Sequence, residues 1–168
     1  MEGVPWPVSV QICTLNEAGN IAACVASVLA NNPEEVLVID GGSTDGTVQI
    51  AESLGVRVLQ AGPIGLARQR RVGYLEAKTK LVAFVDADDR LEPDWVQRML
   101  EDLEAGSYSA MQSLLRVPVR KSFWTRGWDE YLKESIQPSK DTIMVGRPAL
   151  YLTSALMGIE SEPGMIVE

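Results

Sequence analysis

Apolar residues recur along the first two thirds of the chain in two alternating rhythms. Val8 to Leu15 carries β-branched residues at Val8, Val10 and Ile12 and predicts a buried strand. Ile21, Val25, Val28 and Leu29 then fall at i, i+4, i+7 and i+8, the spacing of one helix face. Asn16 is the expected cap of that helix, and Pro33 follows its end. Val36 to Ile39 is a short unbroken apolar run, as expected of a strand covered on both faces. A second helix is predicted to stop at Gly55, and Val56 to Leu59 is a third strand. A helix over Leu66 to Ala77, a strand over Leu81 to Val85 and a helix with Pro93 in its first turn follow. That last helix turns Trp95, Val96, Met99, Leu100 and Leu103 inward.

This β-α-β-α-β-α-β order predicts an α/β domain: a doubly wound, mainly parallel sheet with helices on both faces. Beyond Tyr108 the rhythm weakens. Ala110 to Val119 reads as one or two strands, and Phe123 to Ile136 as a helix. Ile143 to Val145 and Ala149 to Leu152 read as short strands, and Thr153 to Met157 as a turn of helix. No domain boundary is evident, so 1–168 is expected to form one domain.

Composition narrows the chemistry. The 168 residues carry a formal net charge of -8, which disfavours nucleic acid as a partner. Histidine is absent, so acid–base chemistry falls to carboxylates or lysine. Cys13 and Cys24 are expected as small core residues. No run approaches the roughly 20 apolar residues of a membrane span. The start has no signal-like pattern, so the expectation is a cytoplasmic chain, with membrane association on that side left open.

Open α/β sheets bind ligands outside the carboxyl ends of their strands. Three polar clusters fall at such ends: Thr14-Leu-Asn-Glu17, Asp40-Gly-Gly-Ser-Thr-Asp-Gly46 and Asp86-Ala-Asp-Asp89. Alternate residues of extended chain project to one side, so Asp86 and Asp88 can hold one hard divalent cation against a diphosphate. A solvated turn that caps the next helix is the plainer alternative. Asp40 either accepts N–H groups of a uracil or guanine, or closes an Asx turn. Gly41 and Gly42 permit a tight turn and close ligand approach. Ser43, Thr44 and Asp45 suit a helix cap. The stretch lacks the Walker lysine and the dinucleotide glycine spacing. Arg68, Arg70 and Arg71 are candidates for an anionic ligand, against a reading as surface charge. Phe123, Trp124, Trp128 and Tyr131 form either packing core or an acceptor wall.

These residues resemble the family-2 glycosyltransferases of GT-A fold over about Pro7 to Leu103. Val8-Ser-Val-Gln-Ile-Cys-Thr-Leu-Asn-Glu17 is similar to the family's opening strand, and Val38 to Thr47 to its second-strand signature. Ala67 to Gly73 resembles its arginine segment, and Phe84-Val-Asp-Ala-Asp-Asp89 its metal motif. The resemblance implies nucleotide contacts from Thr14, Asn16, Glu17, Asp40, Gly42, Ser43, Arg70 and Asp86. It implies Mn2+ or Mg2+ held by Asp86 and Asp88. Where this chain has Gly41 the family often has a second aspartate, and where it has Arg71 often an asparagine.

Gly146 to Leu156 resembles the segment before the family's Glu-Asp acceptor motif, whose acid is the catalytic base. Glu168 would be the first member of that pair, with Glu160 and Glu162 as fallbacks, which implies a domain truncated at its C-terminal end. The implied reaction is inverting transfer of a sugar from a nucleotide-diphosphate donor, UDP before GDP, to a saccharide or lipid-linked acceptor hydroxyl. Three alternatives stand beside it. They are a truncated non-catalytic nucleotide-sugar-binding domain, a sugar nucleotidylyltransferase and a structural or partner-binding domain. The second would usually show a Gly-rich loop after the first strand, which is missing.

Overall fold

The computed structural model describes residues 3–63, 65–107, 109–112 and 148–160. Six strands and five helices are described: β1 (Trp6–Thr14), α1 (Ile21–Leu29), β2 (Pro33–Asp40), α2 (Thr47–Ser53), β3 (Arg57–Gln60), α3 (Leu66–Glu76), β4 (Leu81–Asp86), α4 (Trp95–Gly106), β5 (Ala110–Gln112), β6 (Ala149–Leu152) and α5 (Thr153–Glu160). The sheet order is β3-β2-β1-β4-β6-β5. The first four strands of that order are parallel, while β6 runs antiparallel to both β4 and β5. This is the expected α/β sheet, mainly parallel, with an antiparallel edge.

Alternation along β1 divides the core. Val8, Val10 and Ile12 face one layer, where they pack with Ile21, Cys24, Val25 and Val28 of α1 and with the inward face of α4. Cys13 faces the other layer with Leu37, Ile39 and Val72 of α3, and Phe84 and Val82 pack there with Tyr74 and Leu156. Helices α1, α2 and α4 therefore cover one face and α3 and α5 the other. That is the doubly wound layout expected of right-handed crossovers. Val8, Val10, Ile12, Ile21, Val25, Val28 and Ile39 are each 0% exposed. Truncating one to alanine removes about 1–4 kcal/mol of packing.

Several local expectations shift. Asn16 does not cap α1: the N-cap position is Asn20, and the Glu17 carbonyl accepts the Asn20 and Ile21 amides. Asn16 instead takes positive φ (56°) in the turn after β1. Leu29 is 45% exposed, because it lies about 80° around the helix from Ile21, at the edge of the stripe. Pro93 precedes α4 rather than opening it. It sits in the turn that bonds the Trp95 amide to the Glu92 carbonyl at 3.2 Å, and Asp94 takes φ 68° before Trp95. Gly55 follows α2 with φ 76°, as its C-terminal position requires. The segments expected over 123–136 and 143–145, and 113–119 of the run from Ala110, lie outside the described residues.

Candidate active site

From β1 the chain winds outward through β2 and β3, then returns to place β4 on the other flank of β1. The β1/β4 junction is thus the topological switch point, where doubly wound sheets open a crevice at their carboxyl ends. Register puts Thr14 opposite Asp40 and Cys13 opposite Asp86, so all three polar clusters reach the same edge of the sheet. A cleft of about 620 Å3 lies there, lined by Thr14, Glu17, Gly42, Gln69, Asp86 and Asp88 among others.

Two loops form one wall of this cleft, and they hold each other. The Asn16 amide donates to Ser43 Oγ (2.8 Å), while Asn16 Oδ1 accepts from the Thr44 amide (2.9 Å). The Glu17 amide donates to Thr47 Oγ1 (2.8 Å) and the Ala18 amide to Asp45 Oδ2 (3.0 Å). Asp45 Oδ1 accepts the Thr47 hydroxyl at 2.5 Å and the Thr47 amide at 3.1 Å; the hydroxyl first, then the Ala18 amide, hold its carboxyl below the usual carboxylate range. The residue at the cap position of α2 is Gly46, without a side-chain cap; Asp45 Oδ1 takes the amide of Thr47, the first residue of α2, while Ser43 and Asp45 Oδ2 bind the turn after β1.

Asp40 lies beneath this wall, 3% exposed. Its Oδ2 accepts the Gly42 and Ser43 amides, both at 2.9 Å, and Oδ1 accepts the Thr14 hydroxyl at 3.2 Å. Burial pushes its carboxyl up, but the hydrogen bonds from Ser43, Gly42 and Thr14 outweigh burial and hold it low. Of the expected nucleotide contacts, Thr14, Glu17, Gly42 and Asp86 line the cleft. Asn16, Asp40 and Ser43 build the wall behind it.

The β4 end is acidic. Asp86 is half-buried and Asp88 exposed, and both line the cleft. Asp89 Oδ2 accepts the Asp86 amide at 3.1 Å, which shapes the turn. Burial and the adjacent Asp88 charge raise the Asp89 carboxyl to about 6, against the pull of Arg90. Arg70 approaches Asp86 at 3.9 Å, and its guanidinium carbon stands 5.7 Å from the centre of the Phe84 ring. Arg70, expected as a nucleotide contact, reaches the site through Asp86 and is not itself a lining residue; Arg68 and Arg71 are exposed on the same helix and do not line the cleft either. Among the described residues no three acidic or thiol groups converge as a closed metal site. Two oxygen donors at an open cleft suit a cation that takes its other ligands from substrate and water, as Mg2+ and Mn2+ do.

Sequence reasoning missed the opposite wall. Leu15, Pro63, Gly65, Leu66 and Gln69 also line the cleft, so its β2 side is largely uncharged. Gln69 sits inside the arginine run but is buried (6% exposed). No local signal marks it, because its partners lie far along the chain. Cys24 is the core residue expected, its thiol pushed up to about 12 chiefly by burial. Cys13 both packs in the core and touches the cleft. Glu162, Glu168 and the aromatic group at 123–131 lie outside the described residues. Glu160 is the last residue of α5.

Comparison with known proteins agrees with this layout. A family profile described as Glycosyl transferase family 2 matches residues 9–159. A Rickettsia bellii protein named as an uncharacterized glycosyltransferase is 33% identical over 129 residues, covering 75% of this chain and 44% of that protein. The mannosyltransferase of Pyrobaculum calidifontis in complex with GDP-Man and Mn2+ superposes with a TM-score of 0.71 at 18% identity, over 94% of this chain and 48% of that one. The Mycobacterium tuberculosis glucosyl-3-phosphoglycerate synthase with Mn2+, UDP and its product gives 0.66 at 20% identity, over 89% and 57%. These two likenesses show the fold, and the chain spans about half the length of such proteins. No helix among the described residues is long and apolar enough to cross a membrane. With the profile covering most of its length, the chain belongs to glycosyl transferase family 2 and has the GT-A type of α/β fold.

Proposed function

We propose that this chain is the donor-binding part of a metal-dependent glycosyltransferase that uses a nucleotide-diphosphate sugar, UDP-linked before GDP-linked. One observation carries the reading. A single cleft at the β1/β4 switch point joins a side that is uncharged apart from Glu17 to the side that bears Asp86 and Asp88. A nucleotide sugar has the same polarity: a nearly neutral nucleoside at one end and a diphosphate at the other. The two solved neighbours that hold a nucleotide together with Mn2+ support the same orientation of ideas.

In this reading Thr14, Glu17 and Gly42 face the nucleoside, with Asn16, Asp40 and Ser43 fixing their loop. Asp86 and Asp88 hold Mg2+ or Mn2+, whose charge offsets the negative charge that builds on the departing diphosphate. Arg70, beside Asp86, adds a fixed positive charge near the same group. An acceptor hydroxyl, from a saccharide or a lipid-linked sugar, attacks the anomeric carbon from the far side, and configuration inverts. A carboxylate takes the acceptor proton; Glu168 is the candidate.

Thermal unfolding with UDP, GDP, CMP and dTDP, each with and without Mn2+, tests the donor site. A ligand at 100 times its Kd stabilises the native state by about 2.7 kcal/mol. A Mn2+-dependent rise in Tm with UDP or GDP is the expected result. No shift with any of the four would leave a structural or partner-binding domain as the better reading.

A further inference from the structure

The amide of Gln69 is oriented without ambiguity. Its Nε2 lies 3.1 Å from the Thr14 carbonyl and 3.1 Å from the Ile39 carbonyl. Both partners are pure acceptors, so this atom is the nitrogen and both its hydrogens are spent. What remains is Oε1, which accepts no hydrogen bond from the described residues. Gln69 is nine-tenths buried and lines the cleft.

Its place is made by a glycine. A Cβ built on Gly41 would come within 2.8 Å of Gln69 Nε2 and 3.2 Å of its Cδ. Gln69 therefore fills the space that a side chain at position 41 would need. The neighbouring carboxylate does not reach the cleft: Asp40 is 3% exposed, is not among the lining residues, and its oxygens bind the Thr14 hydroxyl and the two loop amides. Leu15 (56% exposed) and Leu66 (41% exposed) line the same cleft and offer it apolar surface.

We propose that Gln69 is a specificity residue for the donor's nucleobase: its Oε1 accepts the ring N–H that uracil and guanine carry between or beside their carbonyls. This rests on the nucleotide-sugar reading given above. The chemistry is selective. An acceptor that opens only to the cleft, on a residue otherwise nine-tenths buried, exchanges water for the N–H of such a base. It meets a lone pair from neutral cytosine, whose corresponding ring nitrogen is itself an acceptor. A site left with an unpaired polar atom rejects such a ligand strongly. Because the acceptor is an amide held by two backbone carbonyls, it is neutral and pre-oriented, so it adds no repulsion to the diphosphate.

The test is a cycle between protein and ligand, read by calorimetry in Mn2+. UDP and N3-methyl-UDP are titrated into the wild-type chain and into Gln69→Ala and Gln69→Met, with GDP and N1-methyl-GDP as the second pair. Unfolding curves confirm that each variant is folded. If Gln69→Ala does not fold, Gly41→Ala, which crowds the amide from its other side, replaces it. The expected result is a methylation penalty of roughly tenfold or more in the wild type that falls below about threefold in the variants. CDP should bind the wild type at least about tenfold more weakly than the preferred nucleotide. An unchanged methylation penalty in the variants, or an equal loss of affinity for both members of a pair, overturns the proposal and leaves Gln69 as a residue that only ties β1 to β2. Wild-type protein that binds none of the nucleotides would overturn the donor-site reading itself.

Discussion

Removing the Asp40 carboxylate should cost the fold several times more than neutralising it. The buried carboxylate accepts three hydrogen bonds: from the Gly42 and Ser43 amides at 2.9 Å and from the Thr14 hydroxyl at 3.2 Å. Hydrogen bonds to a charged acceptor contribute about 1.5–3 kcal/mol each, and neutral ones about 1 kcal/mol. Gly42 is exposed and Ser43 half-buried, so water replaces part of what their amides lose. The Thr14 hydroxyl, 3% exposed, has no such recourse. For Asp40→Ala the expected loss is about 2–4 kcal/mol.

Asp40→Asn differs. Its carbonyl can accept both loop amides and its NH2 can donate to the Thr14 oxygen, so only the charge is lost, about 1 kcal/mol. The two variants are compared with wild type by urea unfolding at pH 7. The pH dependence supplies a second check. The folded carboxyl is held below its ordinary value, so the stability it adds is present above the ordinary carboxylate range and is lost as pH falls through the lowered folded value. The gap between wild type and Asp40→Asn should therefore be constant from pH 8 to about 5 and close below about pH 4. Equal losses from alanine and asparagine, or a loss under about 0.5 kcal/mol from alanine, would refute the assignment of Asp40 as the residue that folds this loop.

Three further outcomes are expected. Asp88→Asn should weaken Mn2+-dependent nucleotide binding by well over tenfold, about 1.4 kcal/mol, by calorimetry; intact affinity would remove Asp88 from the metal site. Asp89→Asn should stabilise the ligand-free chain at pH 7.5 by about 1 kcal/mol after allowance for solvent screening. The folded carboxyl is raised to about 6, so its ionisation penalty is full above that pH and absent below the ordinary value; a gain that persists at pH 3.5 would contradict this. Gly73→Ala drives a Cβ into Gln11 Oε1 and to 3.0 Å from Ile39 Cδ1, both on side chains with no exposure. Overpacking of about 1–3 kcal/mol should exceed the propensity gain of about 1 kcal/mol, and a variant more stable than wild type in urea would show that the α3–β1 contact yields.

The parallel core was legible because each of its elements announces itself locally. An apolar run between turn residues makes β2, and the i, i+4, i+7 stripe of Ile21, Val25 and Val28 makes α1. The edge was harder. Strand β6 inserts between β4 and β5, so Ala149 pairs with Phe84 and also with Gln112. Such a neighbour is chosen by sheet geometry and not by periodicity. The strand-end clusters stood out for a physical reason too: polar residues at the end of a buried strand must meet solvent, a partner or a ligand. Gln69 was invisible on those terms. Its partners, the carbonyls of Thr14 and Ile39, lie 55 and 30 residues away, and nothing in the run Ala67 to Gly73 states that its third residue turns inward.

The same contacts explain why so many conspicuous residues stand behind the cleft and not in it. The strand ends at Thr14 and Asp40 are where the sheet's ladder stops, so the next amides need partners. Asn16, Ser43, Asp45 and Thr47 supply them across the two loops, and Gln69 caps the Thr14 and Ile39 carbonyls from the other side. The four loop side chains, spent in this way, cannot also adapt to a ligand, and they need not. They fix the positions of Thr14, Glu17 and Gly42, which line the cleft on rigid backbone. A ligand cleft built like this gains by preorganisation: the ordering cost is met on folding, not on binding. It follows that substitutions at Asn16 or Ser43 should lower nucleotide affinity and Tm together, whereas substitutions at Asp88 should lower Mn2+-dependent affinity and leave the Tm of the ligand-free chain within about 1 °C, since an exposed carboxylate contributes little to the fold. Affinity lost at Asn16 with Tm unchanged would place that side chain in the cleft after all.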